Sequence, residues 1–282
     1  MDVNYPPGAY RFQDDFYNVR PEPKELRGAV FLQRPDGTVE RQRGPRLPEE
    51  AVRDNRVIVY VDGIHQSLQE QQRQIRELMS DMGQSVVGVH EGSGTTILHD
   101  SQRQAKNLVY LKSIQTDLED SSSLRSRIFS NDKAVKSVYN LLRQGLDAGR
   151  DITLVTHSGG GIEAALALHM LAEKGYGQKI ESQLRVLSLA SGVSPEDFTT
   201  AGVKQEHLYY TGSDADLAFQ LARHFLPVAV PGALGGALSW LLERPTEEVL
   251  AHSPDYLFEA NGKTTLENFM TGRSPGKFVE VP

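Results

Sequence analysis

Residues 151–168, Asp-Ile-Thr-Leu-Val-Thr-His-Ser-Gly-Gly-Gly-Ile-Glu-Ala-Ala-Leu-Ala-Leu, change character abruptly in the middle. Ile152–Val155 is a short apolar run rich in β-branched residues, the composition of a buried strand. From Ile162 onward Ala, Leu and Met take over, and these favour helix. Between the two lie Ser158 and three glycines, Gly159, Gly160 and Gly161. A strand that passes straight into a helix must bend sharply, so residues at the bend must lack bulk, and glycine accepts backbone angles that other residues resist. Such a bend lifts the Ser158 hydroxyl above the sheet. It also sets the Gly159 amide at a helix N-terminus, where backbone N–H groups face negative charge. A plainer account of the same residues is a glycine-rich connection in an ordinary doubly wound sheet, with an incidental serine.

The rest of the chain supplies the sheet. Gly28–Gln33 and Thr38–Arg41 read as a hairpin around the turn Arg34-Pro35-Asp36-Gly37. Further strands are expected at 56–64, Ser85–His90, Leu184–Ala190 and His207–Thr211. Helices are expected over Gln66–Met82, 101–119 and Asp132–Ala148, and from Ile162 to a stop at Lys174-Gly175. Strand alternating with helix from residue 56 predicts an α/β protein, with a mainly parallel sheet covered on both faces. Residues 1–27, with Pro6, Pro7, Pro21 and Pro23 and no periodicity, read as an extended N-terminal arm. Residues 28–282 read as a single domain.

With 39% hydrophobic and 24% charged residues the composition is that of an ordinary globular protein. A formal net charge of −7 argues against a nucleic-acid partner, which calls for a basic face. No cysteine is present, which excludes disulfides, thiolate-held metals and a cysteine nucleophile. His90 and His99 flank the loop Gly92-Ser93-Gly94-Thr95-Thr96 without a metal-ligand spacing, and that loop completes no phosphate-binding motif. Neither a metal nor a cofactor is expected. Met1–Pro7 has no basic or apolar run of a signal peptide, so the expected compartment is the cytoplasm, with signal-independent export left open.

The run around Ser158 resembles the nucleophile elbow of the α/β-hydrolase superfamily, G-x-S-x-G, in its strand–serine–glycine–helix order. Gly160 occupies the last position, and Thr156 stands where the first glycine of the pattern is found. The resemblance implies an α/β-hydrolase fold: a twisted, mainly parallel sheet, helices on both faces and a small helical cap. It implies a serine hydrolase of the esterase or lipase kind, with Ser158 as nucleophile and its partners following in the order acid, then histidine. Asp214, just past the strand ending at Thr211, is the implied acid, with Asp216 as the alternative. His252, ahead of Ser253-Pro254, is the implied base; His224, inside a helical run, suits packing instead. The oxyanion donors would be the amides of Gly159 and of Ile64 or Gly63, in the loop after the strand ending at Val61. The loop begins with Asp62 where the superfamily often has histidine. That carboxylate would oppose an oxyanion if aimed at it, and is expected to point away and pin the loop. His157 is expected to be structural.

Between acid and base an insertion at about 217–243 contains the nearly uncharged run 226–242, interrupted by two prolines and three glycines. It falls short of the roughly 20 residues of a membrane span. It reads either as packed core or as a cap over the site, which would offer an apolar surface for an acyl chain and a peripheral membrane contact. The implied partner is a small-molecule or lipid-like ester. A thioesterase or acyltransferase would use the same triad, and a non-catalytic binding protein on the same fold is the alternative from another class.

Overall fold

Val57, Val59 and Val61 of one central strand point to one side of the sheet, and Ile58 and Tyr60 to the other; all five are buried. This burial on both faces comes from the strand's nearly continuous apolar composition, and it fixes the layer arrangement before any helix is considered. The computed structural model of the chain describes residues 23, 25–63, 66–92, 103–104, 107–108, 110–111, 114–115, 132–189 and 191–211. Its strands are β1 (Val30–Gln33), β2 (Val39–Arg41), β3 (Arg56–Val61), β4 (Val86–Val89), β5 (Asp151–His157), β6 (Leu184–Leu189) and β7 (Leu208–Thr211). They form one seven-stranded sheet in the order β2-β1-β4-β3-β5-β6-β7. The pairs β1–β2 and β1–β4 are antiparallel, and all the others are parallel. The chain is therefore of the α/β class, with a mixed, mostly parallel sheet.

The opening hairpin turns as its residues dictate. Gly37 has φ +86°, and the Asp36 carboxylate accepts from Thr38 N–H and Thr38 Oγ1 at 2.9 and 2.6 Å. Helix α1 (Leu68–Met82) starts two residues later than its composition suggested, because Ser67 Oγ caps it, accepting from Glu70 N–H at 3.1 Å. Its apolar residues Ile75, Leu78 and Met79 pack on one face of the sheet against Ile58, Tyr60 and Val86. The opposite face is covered by α2 (Lys133–Asp147), α3 (Gly160–Leu171), α4 (Gly177–Gln183) and α5 (Pro195–Thr199), through Val138, Leu142, Leu166, Ile180 and Phe198. Of the helix expected over 101–119, every described residue is helical.

The expected stop of α3 at Lys174-Gly175 is reached by a different route. The helix ends at Leu171 and passes into a π-type turn, Ala172–Tyr176. Gly175, at φ +87°, marks the bend as expected of a stop signal, and the chain then re-enters helix as α4 before β6. Gly177–Gln183 is short and polar, and Ile180 is its single buried residue, so it carries no readable stripe.

In the parallel stack His157, Leu189 and Thr211 lie on one register row across β5, β6 and β7. The strand order reverses direction between β3 and β5: the chain moves outward from β3 to β4 on one side and from β5 to β7 on the other. The crevice beyond the carboxyl ends of strands at such a reversal is where open α/β sheets bind ligands.

Candidate functional site

At that reversal β5 ends on His157, and the next residue, Ser158, has φ +52°. A residue with a β-carbon pays for this angle through contact with its own backbone, so the surroundings must hold it there. The Ser158 N–H donates to Leu189 O at 3.0 Å. The Ser158 carbonyl accepts from Gly161 N–H at 3.1 Å and from Gly192 N–H at 3.3 Å, and from Ser191 Oγ at 3.4 Å. The bend is thus strapped to the end of β6 from both sides of one residue. Gly159 (φ −58°, ψ −27°) caps α3 with no side chain in the way.

The glycines after Ser158 are required by contact. A β-carbon on Gly160 would run into the backbone oxygens of Val61 and Asp62, and one on Gly161 would collide with Ser191 Oγ. The first turn of α3 therefore lies directly on the ends of β3 and β6. Thr156, which departs from the elbow pattern, is fully buried, and its Oγ1 donates to Ser188 Oγ across β6 at 3.2 Å. A hydroxyl partner in the neighbouring strand is what lets threonine occupy this position.

The loop after β3 meets the serine. A β-carbon on Gly63 would stand 2.7 Å from Ser158 Cβ and 3.2 Å from Ser158 Oγ. The Gly63 N–H donates to Gln66 Oε1 at 3.3 Å, and Gln66 Nε2 lies 3.2 Å from His157 Nδ1. The Gln66 amide is therefore oriented with its NH₂ toward the imidazole, and Nδ1 of His157 is the acceptor. The Gly63 N–H is engaged with this side chain, while Ile64, the other loop amide named from sequence, is outside the described residues.

Asp62, fully buried, is turned away from Ser158 toward β4. Its Oδ1 accepts from Glu91 N–H at 2.6 Å, and its Oδ2 is 2.6 Å from His90 Nδ1. Beyond it lies a buried polar cluster. The Glu91 carboxylate is bonded to Arg103 and to Gln104 Nε2, and Gln104 Nε2 also reaches Glu163 Oε1 of α3 at 3.3 Å. Burial pushes the Glu163 carboxyl well above the ordinary carboxylate range, and the nearby Glu91 and Asp132 charges push the same way. Burial raises Glu91 too, with Arg103 opposing. Arg103 is bonded to Glu91 and opposes the shift at both carboxyls, and Glu163 is the more strongly raised of the two.

Comparison with protein-family models, curated proteins and solved structures finds no match. Of the residues expected from sequence, Ser158, Gly159 and Gly63 come together at the switch point. Asp214, Asp216, His252, His224, His99, the arm residues 1–22 and the insertion 217–243 lie outside the described residues. The chain leaves β7 at Thr211, on the register row of His157 and two strand spacings away, about 10 Å.

Several residues of the site gave no sequence signal. Gln66 belongs to a polar stretch, and Ser191-Gly192 is a short polar pair after a strand. Glu163 was detectable in principle, as the lone carboxylate in an otherwise uncharged helix of twelve buried residues. Among the described residues no group of three or more His, Asp or Glu side chains is placed to hold a metal, and no helix is long and apolar enough to cross a membrane.

Proposed function

We propose that the chain is a serine hydrolase of the α/β-hydrolase type that cleaves a carboxylic ester through an acyl-enzyme. The observation that carries this reading is Ser158 at φ +52° on a strand-to-helix bend, hydrogen-bonded into that strained form by β6 and faced by the loop after β3. Strain of this kind survives where the surrounding structure over-determines it, and it concentrates at reactive residues. The hydrolase fold is supported by the antiparallel opening hairpin, by a serine following the fifth strand, and by the loop after the third strand lying beside it. Both departures from the pattern have local explanations, the Thr156–Ser188 pair and the turned-away Asp62.

In this reading Ser158 Oγ attacks the ester carbonyl as His252 takes its proton. The alkoxide leaves as the alcohol on receiving that proton, and water then releases the acid by the reverse relay. Asp214 orients the imidazole, with Asp216 as the alternative acid. The amides of Gly159 and Ile64 hold the oxyanion, the Gly63 N–H being engaged with Gln66. The run 226–242 favours an apolar or lipid-like acyl group, and a thioester or acyl-transfer substrate would follow the same steps.

An alkyl fluorophosphonate tests the reading. The expected result is one covalent adduct per chain on Ser158, with turnover of a p-nitrophenyl ester, both abolished in Ser158→Ala. A folded protein that forms no adduct overturns it and leaves the non-catalytic binding protein.

A further inference from the structure

Asp62 joins three parts of the molecule that the proposed chemistry needs in register. Its backbone oxygen abuts Gly160, at the start of the elbow helix, so closely that no β-carbon fits between them. The next residue, Gly63, rests on Ser158. Its side chain, completely buried, reaches the other way to the end of β4, where one oxygen accepts the Glu91 N–H and the other pairs with the His90 imidazole, both at 2.6 Å. His90 is also completely buried, and its backbone is bonded to Gly28 and Ala29, so it is a fixed post rather than a mobile side chain. A loop tip with only backbone contacts would be free to drift by the fraction of an ångström that matters to an oxyanion donor. Here a carboxyl group held by two short hydrogen bonds stands at its base.

From this geometry we infer that Asp62 and His90 form a positioning pair, which fixes Asp62 and Gly63 against Gly160 and Ser158, where the proposed reaction forms its oxyanion. Neither side chain touches substrate. The inference rests on the reading of Ser158 as nucleophile. A donor aimed at charge that appears only in the transition state affects kcat and leaves KM alone. Loss of the pair therefore lowers the rate per competent site, whereas a merely structural role lowers the number of competent sites.

The two are separated by titrating each variant with the fluorophosphonate and dividing turnover by the labelled fraction. In Asp62→Ala, which removes both bonds, kcat per labelled site is expected to fall about 30- to 100-fold, somewhat below the 10²–10³-fold of deleting an oxyanion donor outright. KM is expected within about threefold of the starting protein, and the labelling rate falls with kcat, since phosphonylation uses the same donors. Asp62→Asn retains an acceptor for the Glu91 amide and a group able to pair with His90, so it recovers most of the loss. If Asp62→Ala does not fold, His90→Ala is read in the same way, with an expected fall of about tenfold. A per-site kcat within threefold of the starting protein in whichever variant folds, or equal losses in the alanine and asparagine variants, overturns the inference. Absence of any Ser158 adduct in the unmutated protein overturns instead the reading on which it stands.

Discussion

A β-carbon at φ +52° costs about 1–2 kcal/mol, and Ser158 carries one. Removing it should release that energy. Ser158→Gly is therefore expected to be more stable than Ser158→Ala by about 1 kcal/mol, read as a higher midpoint in urea at unchanged slope. Equal midpoints would mean that the bend stores no strain. The same residue illustrates what could be read in advance. The order strand, serine, glycines, helix was visible because each part has its own composition. The angle at Ser158, the strap from Ser191 and Gly192, and the Thr156–Ser188 hydroxyl pair were not, because they join residues far apart in the chain. Asp62 is a middle case: its charge alone led to the expectation that it points away from Ser158, but nothing in the sequence named His90 and Glu91 N–H as its partners.

Among the elements, α3 is the one whose character is least like a surface helix. All twelve of its residues are buried, so its apolar surface runs round the whole helix and Glu163 has no route to water. The Glu163 proton is held more tightly in the folded chain than in the unfolded one, since burial raises its folded pKa. Stability from this group is then greatest below the unfolded carboxyl value, about 4.3, and declines as pH rises toward the folded value, each unit of separation amounting to about 1.4 kcal/mol. Glu163→Gln fixes the neutral form. The variant should match the starting protein near pH 4 and exceed it at pH 7–8, by a margin on the order of 1 kcal/mol or about 2–4 °C in Tm. Thermal melts across that range check the sign, and a variant less stable at pH 8 than its parent would show that Glu163 is ionised. The strands other than β2, and the long helices α1 and α2, were legible because they present mostly apolar runs or a stripe at helical spacing; β2 was legible from the turn before it. Helix α4 was not, since a polar seven-residue segment with one buried side chain has no period to detect.

Across the whole molecule, stability should grade from the centre of the sheet outward. Strands β3 and β5 lie side by side and are buried on both faces, whereas β2 sits at the edge with all three of its residues exposed. Native-state hydrogen exchange is expected to be slowest at the amides of Val57–Val61 and Ile152–Thr156 and fastest in Val39–Arg41, in line with the free energies of global and local opening. Comparable protection in β2 would contradict this ordering.

The parts that meet at Ser158 come from the ends of β3, β5 and β6, with long stretches of chain between them. Closing those loops is an entropic cost met only when non-local pairings form together, so no short stretch of polypeptide can assemble the bend ahead of the rest. A newly made or partly unfolded chain thus holds its serine in a slack turn. The left-handed bend arrives only with the completed sheet, and the backbone form of this one residue becomes a gauge of whether the three strand ends have closed together.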